Sequence, residues 1–148
     1  MSQTGTVLNL FITNDDENKT RIDVKDVKID KDGIINDKFY AKNLDRSILI
    51  TSTKSYELAK QNSIELNYGM LGENILIDID PYKLTKDDII KIGELEFSIT
   101  QNCTLCKGLS ILSSKLPKLL KDDRGIFCKL VSDSGKISVG DKVTIIKS

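Results

Sequence analysis

Short apolar runs, each closed by a cluster of polar or turn-forming residues, set the pattern of the chain. "TVLNLFIT" (6–13) is rich in β-formers and leads into the polar turn "NDDENKT". "RIDVKDVKI" (21–29) supplies Val24, Val27 and Ile29, with a slip in alternation that fits a β-bulge. A turn follows at Asp32-Gly33, and "SILIT" (47–51) and "ENILIDI" (73–79) read as buried strands. "DIIKIGELEFSIT" (88–100) reads as a hairpin around Gly93-Glu94. In its second arm Leu95, Phe97 and Ile99 alternate with Glu94, Glu96 and Ser98, the period of a half-buried strand. "GIFCKLV" (125–131) alternates again, "DSG" and "VGD" are turns, and "KVTIIK" (142–147) is a closing strand.

Two stretches break the β pattern. "STKSYELAKQNSIEL" (52–66) predicts a helix, with Thr53 as its cap, Tyr56, Leu58 and Ala59 on one side and Asn62 near its end. "KGLSILSSKLPKLLKD" (107–122) predicts one or two short helices interrupted at Pro117. Many short strands with few helices predict a mainly β fold, a small β-barrel carrying one or two short helices, and the length of 148 residues suits one domain over 1–148.

Composition narrows the chemistry. Lysines and arginines number 22 and acidic residues 22, so no net basic charge drives nonspecific nucleic-acid binding, and no nucleic-acid partner is expected. No run is long and apolar enough to span a membrane. The start "MSQTGTVLNLF" has neither the basic nor the long apolar region of a secretory signal, so a cytoplasmic protein is expected. Histidine is absent, which removes Ser-His and Cys-His mechanisms and histidine metal ligands from this chain. Thiols, carboxylates, lysines, arginines and hydroxyls remain.

Of three cysteines, Cys103 and Cys106 are three apart in "ITQNCTLCKGLS" (99–110), where a strand is expected to end at Thr100. That puts the pair on an exposed loop suited to chemistry. A closed zinc site would need a second pair, which Cys128 alone cannot supply. A thioredoxin-type site would need a βαβ setting that the pattern lacks. Lys107 beside Cys106 favours the thiolate. Sulfur chemistry, a redox pair and simple packing stay open for Cys103 and Cys106. Cys128, on an apolar strand face, reads as core.

Taken in order, "KDGIINDKFY", "RSILIT", "LGENILID", "KIGELEFSITQNCTLCKGL" and "RGIFCKLVSDSGKISVGD" resemble the MOSC domain, the module named for the C-terminal part of molybdenum-cofactor sulfurases. The resemblance runs from about Gly5 to Lys147 and implies a β-barrel with a cleft for a molybdenum cofactor (molybdopterin) or a related metal–sulfur ligand. The family's characteristic thiol matches Cys106, as a persulfide-bearing sulfur carrier or a thiolate ligand to molybdenum, with Cys103 as a resolving or supporting partner. Asp37, Arg46, Gly72, Glu73, Asn74 and Arg124 match further family positions and are implied to line the ligand site. Each also has a plain structural reading: Asp37 as a turn cap, Gly72 as a turn residue, Glu73 and Asn74 as bonds to loop backbone, Arg46 in a buried pair, and Arg124 in a surface pair with Asp122 or Asp123.

The sequence also departs from the family. Asn36 stands where glycine is usual, and asparagine tolerates the same positive φ. "KFYAKN" lacks the histidine many members carry after the aspartate. The stretch holds no pyridoxal-phosphate desulfurase domain, so the resemblance implies a separate cysteine desulfurase or a molybdoenzyme maturation partner as sulfur source. Three functions remain in view: cofactor maturation or metal–sulfur transfer; a noncatalytic cofactor- or partner-binding module; and a molybdenum-dependent reductase of N-hydroxylated compounds with a separate electron donor.

Overall fold

The computed structural model describes residues 3–14, 20–103 and 112–147. Eleven strands occur among them: β1 (Gln3–Thr13), β2 (Arg21–Val24), β3 (Asp26–Asp30), β4 (Gly33–Ile34), β5 (Ile48–Ser52), β6 (Ile75–Ile77), β7 (Ile89–Ile92), β8 (Leu95–Asn102), β9 (Ile126–Leu130), β10 (Gly135–Ser138) and β11 (Lys142–Ile146). Helix α1 spans Thr53–Gln61 and α2 spans Leu116–Leu119, and a 3-10 turn covers Leu44–Arg46. Seven strands close into a barrel in the order β1, β11, β7, β8, β9, β5, β6 and back to β1, and β2 extends the sheet beside β1. The expected mainly β barrel with one or two short helices is the observed architecture. No described helix is long and apolar enough to cross a membrane.

Alternation explains most of the barrel. Leu95, Phe97 and Ile99 of β8 and Ile126 and Cys128 of β9 point into one core, joined by Ile48 and Ile50 of β5 and Ile75 and Ile77 of β6. A second sheet, β10-β3-β4, adds Val27, Ile29, Ile34 and Ile137 to that core. The run 21–29 is thus not one bulged strand. The chain breaks at Lys25, and its two halves enter different sheets.

The parallel pair β5–β6, joined across α1, is buried on both faces. Its outer face carries Leu76, covered by Tyr56 and Ala59 of α1 and Leu116 of α2. This double burial is why 47–51 and 73–79 read as continuous apolar runs rather than alternations. Helix α1 is shorter than the 52–66 expected. It is capped by Ser52, whose side chain accepts from Lys54 N–H, and not by Thr53. Pro117 lies in the first turn of α2, where its missing N–H costs nothing, so it starts that helix instead of interrupting one.

Candidate functional site

The 3-10 turn lies on the outer face of β8 and β9. Asn43 caps it by accepting from Asp45 N–H, and the Thr100 hydroxyl donates to the Asp45 carbonyl. The turn delivers Arg46 over the ring of Phe127, with the guanidinium carbon 5.4 Å from the ring centroid. Phe127 alternates with the core residues Ile126 and Cys128 and so faces outward.

A cavity of about 470 Å³ opens here. Lys42, Asn43 and Arg46 give it polar and cationic groups, Leu49, Phe127 and Phe39 give it apolar surface, and Gly72 and Asn74 complete it. Among the described residues that line it, none is a carboxylate. A lysine and an arginine on one wall suit a phosphate or carboxylate, and the guanidinium fork suits it best. The aromatic surface suits a ring. The donor set therefore fits an anionic, ring-bearing ligand such as a pterin phosphate.

Strand β8 runs past the expected end at Thr100 to Asn102, through a register shift against β9 between Ile99 and Gln101. Cys103 follows at once, its N–H bonded to the Gly125 carbonyl at 3.0 Å. It is only 3% exposed and packs with Leu49 and Phe127, the same residues that line the cavity. The expectation that the cysteine loop begins in the open does not hold at Cys103. The register shift carries that thiol beneath the apolar part of the cleft. Cys106, the expected working thiol, and Lys107 lie outside the described residues. Cys128 is fully buried in the core, and burial pushes its thiol pKa far up, as befits an inert side chain.

The remaining motif residues form the cleft's edge. Gly72 has φ +90°, a left-handed conformation that disfavours a side chain. Asn74 is a staple: its Oδ1 accepts from Leu49 N–H at 3.0 Å and its Nδ2 donates to the Phe11 carbonyl at 3.2 Å, tying β5 to β1. Arg124 stands behind Gly72. Its Nη2 donates to the Leu71 carbonyl at 3.2 Å, and its own carbonyl accepts from Thr51 Oγ1. Asp123, one of its two suggested surface partners, pairs with Lys54 at 3.3 Å. Gly125 lets β9 start against β5, since a Cβ there would stand 2.9 Å from Leu49 Cδ1 and 3.0 Å from the Ile50 carbonyl oxygen.

Asp37 and Glu73 are not among the cavity's lining residues. Asp37 is buried, and its oxygens accept from Thr13 N–H at 2.8 Å and Phe39 N–H at 3.2 Å. The preceding Asn36 does take positive φ, +78°. Glu73 is fully buried and accepts from the Tyr56 hydroxyl at 2.6 Å and from Gly69 N–H at 3.1 Å. Burial first, then the carboxylate, raises the Tyr56 pKa well above the ordinary tyrosine value.

Five residues used here were not singled out for the site from the sequence: Phe39, Lys42, Phe127, Tyr56 and Arg21. Lys42 sits in the "KFYAKN" stretch that marked the departure from histidine, and Tyr56 carried only a helix-face signal. Arg21 had no local signal at all. No cluster of three or more acidic or cysteine side chains able to hold a metal occurs among the described residues.

The family profile of the MOSC domain matches residues 31–144. No curated protein matches the sequence. Among solved structures, the chain is similar to the YuaD protein of Bacillus subtilis, with TM-score 0.85 and 16% identity over 100% of this chain and 98% of that one. It is also similar to YiiM of Geobacillus stearothermophilus, with TM-score 0.73 and 14% identity over 97% of this chain and 75% of that one. For YiiM of Escherichia coli the TM-score is 0.71 and the identity 17%, over 99% and 71% of the two chains.

Proposed function

Because this chain belongs to the MOSC domain family, which is associated with the molybdenum cofactor, we propose that it binds an anionic molybdenum–pterin cofactor in the cleft at Arg46 and serves cofactor maturation or metal–sulfur transfer. The observation that carries this reading is the cavity in which Arg46 stands over the Phe127 ring, with Lys42 and Phe39 on the same wall. Arg46 and Lys42 would hold the phosphate, Phe127 and Phe39 would pack on the ring system, and the backbone at Gly72 leaves room at the edge. Bound there, the cofactor would supply a metal–sulfur centre. Cys106, three residues beyond the buried Cys103, would give it a thiolate or carry a sulfane sulfur. A separate cysteine desulfurase or maturation protein would deliver that sulfur.

The lining residues also favour carriage or binding over reduction of N-hydroxylated compounds. None is a histidine, and the chain has none, so no imidazole shuttles a proton there. Molybdenum, pterin and sulfane sulfur measured in freshly purified protein, beside Cys106→Ser, test the proposal. Metal or sulfane sulfur present in the parent and lost in the variant is expected. Both proteins empty after incubation with cofactor and a sulfur donor would overturn it.

A further inference from the structure

Behind the cleft edge, two polar atoms are buried without a hydrogen-bond partner: Glu73 Oε1 and Arg21 Nη2. Both residues bond the same Gly69, Arg21 Nε at its carbonyl and Glu73 Oε2 at its N–H. Burial lowers the Arg21 pKa below the ordinary arginine value, and the charges of Glu73 and Asp37 oppose that fall. The guanidinium remains charged. It lies over the Phe11 ring at 5.3 Å and spends its other donors on the Gly69 carbonyl at 3.0 Å and Thr13 Oγ1 at 3.1 Å. Glu73 spends Oε2 on Tyr56 and on the N–H of the same Gly69. The Gly69 residue is therefore gripped from both ends, its carbonyl by Arg21 and its N–H by Glu73.

Unpaired buried donors and acceptors are rare in native proteins and mark a missing partner. The chemistry of the two atoms selects that partner. An anion would be repelled by the carboxylate and a cation by the guanidinium. An apolar filler would leave both atoms unsatisfied. A neutral molecule that donates to one and accepts from the other satisfies both, and a single water does so in the least space.

We propose that this structure contains a hydration site between Glu73 Oε1 and Arg21 Nη2, and that the water-bridged pair positions the Gly69–Asn74 loop that forms the cleft edge. The Gly69 carbonyl held by Arg21 also accepts from Gly72 N–H at 3.1 Å, so the lock reaches the cleft-lining glycine through one peptide. Arg21 and Glu73 are positioning residues that reach a bound ligand only through this loop.

A high-resolution crystal structure of the full chain tests the site directly. One water peak within hydrogen-bond distance of both atoms, about 2.7–3.2 Å, is expected. An empty gap, or a direct Arg21–Glu73 ion pair, would overturn the proposal. Amide hydrogen exchange tests the positioning role, with Arg21→Met compared to the core control Ile90→Ala. Arg21→Met is expected to accelerate exchange at Gly69 and Gly72 by about tenfold more than at core-strand amides, whereas the control accelerates all amides together. Uniform acceleration in both variants would contradict the role. If Arg21→Met does not fold, the crystallographic result on the unaltered protein decides.

Discussion

Arg46 and Arg21 are placed alike and used differently. Each guanidinium lies over a phenylalanine ring, Phe127 at 5.4 Å and Phe11 at 5.3 Å. Around Arg46 the described lining residues include a lysine and no carboxylate. Around Arg21, Gly69 and Thr13 accept from two of its nitrogens, and Glu73 and Asp37 supply opposing charge. The same fork thus serves a cavity in one place and a loop in the other. The aromatic ring fixes only where an arginine lies. The neighbouring carboxylates decide whether it is held for the fold or kept for a ligand.

Variants can break this contrast, starting with the largest effect. Arg21→Met takes donors from the Gly69 carbonyl and Thr13 Oγ1 and removes the charge near Glu73, and it is expected to cost about 2–4 kcal/mol in denaturant unfolding. Arg46→Met is expected to cost under about 1 kcal/mol, because its head group borders an open cavity. Equal losses would erase the distinction. Asn74→Ala removes two staples and leaves the Leu49 N–H and Phe11 carbonyl unmet, for about 2–4 kcal/mol by the same assay.

Binding reverses the ranking. Titration with a pterin phosphate is expected to show at least about tenfold weaker binding for Arg46→Met, the scale of one charge-assisted contact. Gly72→Ala, forced to φ +90°, is expected to lose about 1–2 kcal/mol of stability while its Cβ points into open space, the nearest atom being Arg124 Nη2 at 3.8 Å.

The smallest effect concerns pH. The hydroxyl of Tyr40 donates to Asp30 at 2.6 Å, and that bond, with lesser help from burial and charge, raises its pKa from 10.0 to about 12. A raised folded-state pKa contributes stability that is present below pH 10 and lost as pH climbs toward 12. Tyr40→Phe is expected to flatten that alkaline limb in a stability-versus-pH series.

Features that depend on near neighbours could be read from the sequence. The alternation of Leu95, Phe97 and Ile99 and the Gly93-Glu94 turn define a hairpin within one short window, and it forms as expected. Features that depend on distant partners could not. The break at Lys25 sends β2 to β1 and β3 to β10, and β10 lies more than a hundred residues on. Ser52 and Thr53 both carry a capping hydroxyl, and only the extended backbone at Ser52 selects it.

The site divides the same way. Arg46, Gly72 and Asn74 stood in recognisable motifs, and all three line the cleft. What the motifs concealed was that Asn74 also bonds Leu49 and Phe11, and that Glu73 turns away toward Tyr56. Arg21 sits in "RIDV", a stretch that reads only as strand. Its role comes from Gly69, 48 positions along the chain. Cys103 looked like loop because the register shift at Ile99/Gln101 leaves no mark in a one-strand pattern.

Anomalous diffraction at the molybdenum edge, from crystals of the full chain loaded with isolated molybdenum cofactor, tests the central claim most directly. The account predicts a molybdenum peak with pterin density in the cleft bounded by Arg46, Gly72 and Phe127. Cofactor bound elsewhere on the molecule, or a cleft that stays empty at saturating cofactor, would contradict it.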